Sequence, residues 1–354
     1  MLKFIRGLIS DGAAPGPATD RQALPEEIRV AGIAPFRIVG HMSLHNGLPM
    51  VDWPSVQSWI DDVVPEKDRA QAWSDCERAW LLHLRHALGP GYHLQENEGA
   101  AVLSSLEPHI AKATLEYMRL TLRRIVAVLQ EIAQVHEWGK DLLIVFDDEE
   151  SYYRYVSFYY PDSGEFAFSG GMHIGWGCSH FVTVKRDLPA IEPVIAHEMT
   201  HACVSHLPLP AWVNEGIAVN TERRLANTGY ARLGAPWETH AKHQQFWNPE
   251  VIQEFWSGKS FLRPDEGNSL SYDLARLLIE QFSMDWEPFK AFVLAVDRAD
   301  GGQAAARKHL GRKLGETVTA LLEQPASAGW EPEPSLWPDE PEKGGFQSMQ
   351  GAWR

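Results

Sequence analysis

The chain has 354 residues, of which 44% are hydrophobic and 22% are charged, and its formal net charge is −15 at pH 7. This composition is typical of a globular protein rather than a disordered polymer, and the length predicts two structural units and a core that can hold a buried metal site. The negative charge repels phosphate backbones, so nucleic acid is not expected as a partner.

The cysteines and the apolar runs indicate the compartment. Cys76, Cys178 and Cys203 are too few and too far apart for a disulfide framework or a thiolate zinc site, and an odd count favours a reducing compartment. Lys3 and Arg6 interrupt the apolar N-terminal stretch, which therefore lacks the length of a signal peptide. No apolar run approaches the roughly 20 residues of a membrane span. We expect a soluble cytoplasmic protein that does not contact a membrane.

Composition divides the chain into four segments. Residues 1–35 are rich in Ala, Pro and Gly and are expected to be a flexible lead-in. Residues 36–138 are expected to be a helical N-terminal region that supports or partly covers the main domain, which spans residues 139–325. The acidic, proline-rich tail, residues 326–354, cannot bury a core and is expected to be disordered or draped on the surface.

The hydrophobic pattern changes from helical to strand-like and back. Apolar residues recur at helical spacing over residues 68–88 and 108–135. The run LLIVF, which starts at Leu142, predicts a strand, and residues 151–185 predict one short helix followed by two or three strands. Helices are then predicted over residues 190–206, 211–226, 236–257, 269–284, 286–297, 301–310 and 314–324. A small sheet with a mostly helical remainder is an α+β fold.

The segment VIAHEMTHACV contains the pattern H-E-x-x-H. Residues four apart lie on one face of a helix, so His197 and His201 can present imidazole nitrogens to one ion, and Glu198 can reach a water on that ion. Catalytic zinc takes three protein ligands. A second helix is predicted after Pro210, and Glu215 in its first turn can face the histidine pair. The sequence predicts one zinc ion per chain on His197, His201 and Glu215.

H-E-x-x-H followed by W-x-N-E-G-x-A resembles the gluzincin zinc metallopeptidases, specifically the peptidase-MA-like group related to the zinc aminopeptidases and thermolysin. The resemblance covers residues 142–325. It implies a zincin-like domain, a peptide or protein substrate, and Glu198 as the general base. It also implies that Tyr272, at the start of a similar helix, donates a hydrogen bond to the tetrahedral oxyanion. The alternative for Tyr272 is packing in the core.

Two positions depart from the pattern of that family. Zinc aminopeptidases carry a glutamate that binds the free amine of the substrate, whereas this chain has His173 there, which cannot bind an ammonium group. An endopeptidase is therefore expected rather than an aminopeptidase. Thermolysin-type enzymes orient a zinc-ligating histidine with an aspartate four residues after the third ligand, where this chain has Val219. Glu222 and Asn220 are the candidates for that role.

Other histidines and other functions stay open as alternatives. His206 has the wrong spacing for a three-histidine site. His240 and His243 could line a cleft, but surface positions are expected for them. Cys203 is expected to pack in the core.

The alternative functions are a binding or regulatory protein that retains zinc without proteolysis, and a zinc hydrolase that acts on a non-peptide amide.

Overall fold

A five-stranded sheet with helices on both faces organises the chain. The computed structural model describes residues 24–135, 138–159, 171–185, 188–225 and 236–337. Most of the expected lead-in and the end of the tail, after residue 337, lie outside the described residues. The observed class is mixed α+β, which confirms the α+β part of the fold class expected from the sequence.

The described strands form one sheet and one separate hairpin. They are β1 (Met42–His45), β2 (Leu48–Val51), β3 (His93–Glu96), β4 (Ala100–Ser104), β5 (Asp141–Phe146), β6 (Gly171–Ile174) and β7 (His180–Val184). β1 and β2 pair with each other, and the sheet has the order β3-β4-β5-β7-β6. β5 is parallel to both of its neighbours, and the edge strands β3 and β6 are antiparallel to theirs. A central parallel strand is buried on both faces, which explains the uninterrupted apolar run in β5.

Helices make up most of the remaining described residues. They are α1 (Trp53–Val63), α2 (Glu66–Leu88), α3 (Pro108–Leu129), α4 (Glu149–Val156), α5 (Leu188–Val204), α6 (Ala211–Leu225), α7 (Pro236–Phe246), α8 (Ile252–Ser257), α9 (Glu266–Phe282), α10 (Trp286–Ala295), α11 (Gln303–Ala305) and α12 (Leu314–Leu321). A π-helical turn, Ala306–Leu310, follows α11. No helix in the described part of the chain combines the length and the apolar character needed to cross a membrane.

One long predicted helix, 236–257, is two helices in the structure, α7 and α8. The break lies at Asn248 and Pro249. The side-chain oxygen of Asn248 accepts hydrogen bonds from the backbone N–H groups of Glu250 (2.9 Å) and Val251 (3.0 Å). An asparagine that bonds to the backbone in this way stabilises a turn and starts a new helix.

The sheet separates two hydrophobic clusters. Alternate residues of a strand point to opposite faces, and in β5 Leu143 and Val145 contribute to the cluster that contains α3, α5, α6 and α9. Leu142, Ile144 and Phe146 contribute to the other cluster, which contains α1, α2 and α4. The H-E-x-x-H helix, α5, therefore lies on the first face.

A helical N-terminal region was expected, but the structure differs. This region also contains strands, and two of them belong to the central sheet. β3 and β4 fall within residues 36–138, and β4 pairs in parallel with β5, with Ala101 opposite Leu142. Helix α3 packs against α5 on the same face of the sheet. Short strands such as HLQE carry little sequence signal, because pairing with neighbours rather than intrinsic propensity decides whether they form.

Of the two expectations for the tail, disorder does not hold for residues 326–337, because this segment lies against the domain. Trp330 is only 3% exposed, and its carbonyl oxygen accepts a hydrogen bond from the indole nitrogen of Trp256 at 2.9 Å. The side-chain amide of Gln253 donates to the carbonyl oxygens of Gly329 (3.0 Å) and Glu331 (2.8 Å). Average composition favoured disorder, but one large apolar side chain and five hydrogen bonds to Gln253 and Trp256 hold this segment on α8.

We predict that Trp330→Ala lowers the free energy of unfolding by about 3–5 kcal/mol, because it removes a buried indole and leaves a cavity. Urea unfolding followed by circular dichroism measures this change. The matched control is Leu336→Ala in the same segment, where the side chain is 62% exposed, and the expected change there is within about 0.5 kcal/mol. Equal stability of the two variants would show that the segment does not pack on the domain.

Candidate metal centre

Helix α5 carries the H-E-x-x-H residues and is buried between other elements. It packs against β6, β7, α3 and α6. Ile195, Met199 and Cys203 are all buried in the hydrophobic cluster on this face, which agrees with the packing role expected for Cys203. These contacts fix the helix on several sides, so the polar residues between them hold defined positions.

The structure brings His197, His201 and Glu215 together. The Nε2 atoms of the two histidines are 3.0 Å apart, and Oε2 of Glu215 lies 3.3 Å from Nε2 of His197 and 3.4 Å from Nε2 of His201. Within the described residues this is the one group of three or more His, Cys, Asp or Glu side chains that could hold a metal ion. His206 is not a member of it.

The dimensions of this triangle suit one face of a tetrahedral site. Three ligand atoms at about 2.0–2.1 Å from a tetrahedral zinc ion are separated from one another by about 3.3–3.4 Å. The observed separations of 3.0, 3.3 and 3.4 Å are close to these values. The residues therefore fit a small divalent cation, and three protein ligands leave a fourth position for another molecule.

The charge of the Glu215 carboxylate also favours a cation at the centre of this triangle. Oε2 of Glu215 is buried and accepts no hydrogen bond from any described residue, and an unpaired buried carboxylate oxygen is costly. Burial by itself would raise the pKa of Glu215, but His201 and His197 lower it to about 2, so the group is ionised at neutral pH. Burial opposes protonation of His197, but Glu215 and Glu222 raise the pKa of that histidine well above its usual range.

Each histidine is oriented by a second hydrogen bond. Nδ1 of His197 lies 3.1 Å from Oε2 of Glu222, and Nδ1 of His201 lies 3.0 Å from Oδ1 of Asn214. Because both partners are acceptors, each Nδ1 carries a proton, and with an ion bound each Nε2 would lose its own proton and direct a lone pair to that ion, which is how histidine binds a metal. Glu222, proposed from the sequence as an orienting residue, thus contacts the histidine directly.

Asn214 rather than Asn220 is the second orienting residue. The amide of Asn220 donates instead to the backbone oxygens of Gly216 (2.8 Å) and Arg276 (3.0 Å). Asn214 was not predicted from the sequence, although its apolar neighbours Trp212 and Val213 indicate a buried position, which the structure shows. A polar side chain in such surroundings needs a hydrogen-bond partner.

Glu198 is next to the histidine pair, and its carboxylate is not bound by another described side chain. It is 6% exposed and forms no hydrogen bond or ion pair with another described residue. Burial raises the pKa of Glu198, the positive charges of His197 and His201 oppose this rise, and the charges of Glu215 and Glu222 add to it. A raised carboxyl pKa suits a group that accepts a proton and then returns it.

Tyr272 lies close enough to this group for the charges of Glu215 and Glu198 to act on it. Burial raises its pKa well above the usual range, and the nearby charges of Glu215 and Glu198 raise it further. Its ring packs edge-on against Phe261, with 5.2 Å between centroids, and its hydroxyl group has no hydrogen bond to any residue that the structure describes. The ring of Tyr272 therefore packs against the core, as the core-packing alternative predicts. Its hydroxyl group remains available, which the role in binding the oxyanion requires.

The edge strand β6 lies beside α5. A Cβ atom on Gly171 would lie only 2.3 Å from Cγ1 of Val194 and 3.0 Å from the carbonyl oxygen of Val182, so this close approach requires glycine. His173 lies on the same strand, with Nε2 2.8 Å from Oγ of Ser179 and its ring against Phe181.

The two histidines of α7 differ from each other. The side chain of His240 is 38% exposed, in agreement with the expected surface position. His243 is only 1% exposed, so the surface position expected for it is wrong. Its Nδ1 accepts a hydrogen bond from the indole of Trp247 (2.9 Å), and its Nε2 lies 3.1 Å from Asp273. Both ring nitrogens are used within the fold, so His243 is not available to a substrate.

Comparisons with known proteins add no identification. The chain matches no model of a known protein family, and no curated protein sequence is significantly similar to it.

We predict that Glu222→Ala and Asn214→Ala each weaken zinc binding by about 10–100-fold, because outer partners of metal-ligating histidines contribute that much to metal affinity. Glu215→Ala, which removes a ligand, should weaken it further. Competition with a chromophoric chelator measures the dissociation constants.

The control is Asn220→Ala on the same helix, which leaves both histidines with their partners. Zinc affinity of that variant should match the wild type. Unchanged affinity in Glu215→Ala would show that the third ligand is misassigned.

Proposed function

We propose that this protein is a zinc-dependent peptidase with a zincin-like fold, which cleaves within peptide or protein chains. The convergence of His197, His201 and Glu215 beside the unpaired Glu198 carries the proposal. A site that served only to stabilise a fold would use four protein ligands and would not need a free carboxylate next to them. This difference disfavours a binding protein that retains zinc without activity.

Zinc is the cation that this set of donors favours. Two imidazole nitrogens and one carboxylate oxygen suit zinc better than magnesium or calcium, which prefer oxygen ligands only. Zinc sites with three protein ligands of this type are catalytic. A bound zinc ion would supply a Lewis acid, which acidifies water and polarises a carbonyl group.

Glu198 would carry the proton through the reaction. Its carboxylate accepts a proton from the attacking water as the new bond forms between the water oxygen and the carbonyl carbon. The protonated carboxyl then donates that proton to the departing nitrogen as the C–N bond breaks. The balance is one water consumed and one acid and one amine released. The raised pKa of Glu198 brings it closer to neutral pH, where transfer in both directions is efficient.

Tyr272 would stabilise the oxygen that gains negative charge. Its hydroxyl is free among the described residues and lies near the charges of Glu198 and Glu215. The raised pKa of Tyr272 keeps the phenol protonated, so that it can donate a hydrogen bond to that oxygen. Such a donor contributes most when it is directed at charge that develops only in the transition state.

The edge strand β6 supports cleavage within a chain. Of the described strands only β7 pairs with β6, so no described strand occupies the other edge of β6, where an extended peptide could bind as an added strand. Its sequence, GMHI, offers no carboxylate for the terminal amine of a substrate. An extended substrate could therefore continue in both directions past the site.

We predict that the zinc-loaded protein cuts a diverse peptide pool at internal bonds and that Glu198→Gln lowers turnover by about 10²–10⁴-fold with zinc retained. Mass spectrometry of the products and metal analysis of both proteins provide the measurements. Tyr272→Phe should lower kcat by about 10²–10³-fold, the range for loss of one oxyanion donor.

The outcomes separate the functional alternatives. Removal of single N-terminal residues would indicate an aminopeptidase despite His173. Equal activity of wild type and Glu198→Gln would overturn the mechanism. A zinc-loaded wild type that cuts no peptide in the pool would overturn the proposed peptidase activity and favour a non-peptide amide or a binding role.

A further inference from the structure

Helix α9, which carries Tyr272, touches the backbone of α6 next to the metal ligand Glu215. A Cβ atom on Gly216 would lie 2.5 Å from Cγ1 of Ile279 and 2.6 Å from the carbonyl oxygen of Ala275. Both distances are far below ordinary van der Waals contact distances, so α6 and α9 can be this close only with glycine at position 216. The glycine of the W-x-N-E-G-x-A pattern therefore has a packing role.

Asn220 joins the same two helices with hydrogen bonds. It stands one turn after Gly216, so the two residues share a face of α6. Its side-chain amide donates to the carbonyl oxygen of Gly216 within α6 (2.8 Å) and to that of Arg276 in α9 (3.0 Å). One amide group thus links the backbones of both helices.

The residues of α9 that meet α6 lie on one stripe with Tyr272. Ala275, Arg276 and Ile279 follow Tyr272 by three, four and seven residues, which places all four on the same side of the helix. The hydroxyl of Tyr272 has no hydrogen bond to any described residue that would hold it in place. The position of that hydroxyl therefore depends on where α6 holds α9.

We propose that Gly216 and Asn220 are positioning residues, which together fix the distance and the register between α6 and α9 and thereby hold the Tyr272 hydroxyl opposite Glu198 and Glu215. This inference rests on the proposed function. Because a catalytic group misplaced by about 1 Å can cost roughly 10²-fold in rate, loosening the contact affects chemistry while the metal ligands, all on α5 and α6, remain in place.

The test is a cycle of variants at Asn220 and Tyr272. Asn220→Ala should lower kcat by about 10-fold or more, with little change in KM and with wild-type zinc affinity. In the Tyr272→Phe background the same substitution should lower kcat no further, because the hydroxyl that it displaces is already absent. Gly216→Ala should have a larger effect of the same kind, provided that circular dichroism shows it folded.

Gln253→Ala is the matched control. Like Asn220, Gln253 donates its side-chain amide to two backbone oxygens, those of Gly329 and Glu331, but it does so on α8. Loss of stability alone would affect both variants, whereas kcat should fall only in Asn220→Ala. Equal kcat values for wild type and Asn220→Ala, or a further drop in the Tyr272→Phe background, would overturn the proposal.

A second measurement does not depend on activity. With cobalt(II) bound in place of zinc, the ¹³Cζ resonance of labelled Tyr272, assigned by its loss in Tyr272→Phe, reports the position of the ring relative to the ion. The paramagnetic shift should change in Asn220→Ala and stay constant in Gln253→Ala. If the wild type proves inactive, the proposed function fails, and this shift still decides the positioning proposal: an unchanged value in Asn220→Ala overturns it.

Discussion

The candidate site depends on one electrostatic constraint, the buried carboxylate oxygen of Glu215 between two imidazole nitrogens. An ionised oxygen without a hydrogen-bond donor is expensive to bury, and no described residue supplies one. The two histidines hold their protons on Nδ1, toward Glu222 and Asn214. With both Nε2 atoms unprotonated, three electron pairs would meet at one point, and a cation there would offset the cost of burial.

The rest of the fold holds α5 and α6 in this arrangement. The sheet and α3 support α5, and the hydroxyl of Tyr117 on α3 donates to the backbone oxygen of Glu192 on α5 at 2.9 Å. β4 pairs directly with β5. The N-terminal region is thus part of the scaffold of the site and does not merely cover it. Polar residues placed between such packed elements have little freedom, and a preorganised site needs that rigidity.

Helix α6 connects the separate parts of the site. Within about two turns it provides the proposed metal ligand Glu215 and the hydrogen-bond partners of both histidines, Asn214 and Glu222. Between them, Gly216 and Asn220 form the contact with α9. The first three residues face α5 and the other two face α9, because successive residues of a helix point about 100° apart. One short helix can therefore couple the metal ligands to the helix that carries Tyr272.

The sequence by itself determined many local features: the strand β5, most of the long helices, and the presentation of His197 and His201 on one helical face. Spacings of this kind follow from the geometry of a single element, so no knowledge of the fold is needed. Only the tertiary structure decided the contacts between elements. It paired β4 with β5, buried His243, seated Trp330 on α8, and gave the orienting role to Asn214 while Asn220 bonds to α9. These outcomes depend on contacts between side chains that are distant in sequence. The packing of the elements decides those contacts, and the local sequence pattern does not.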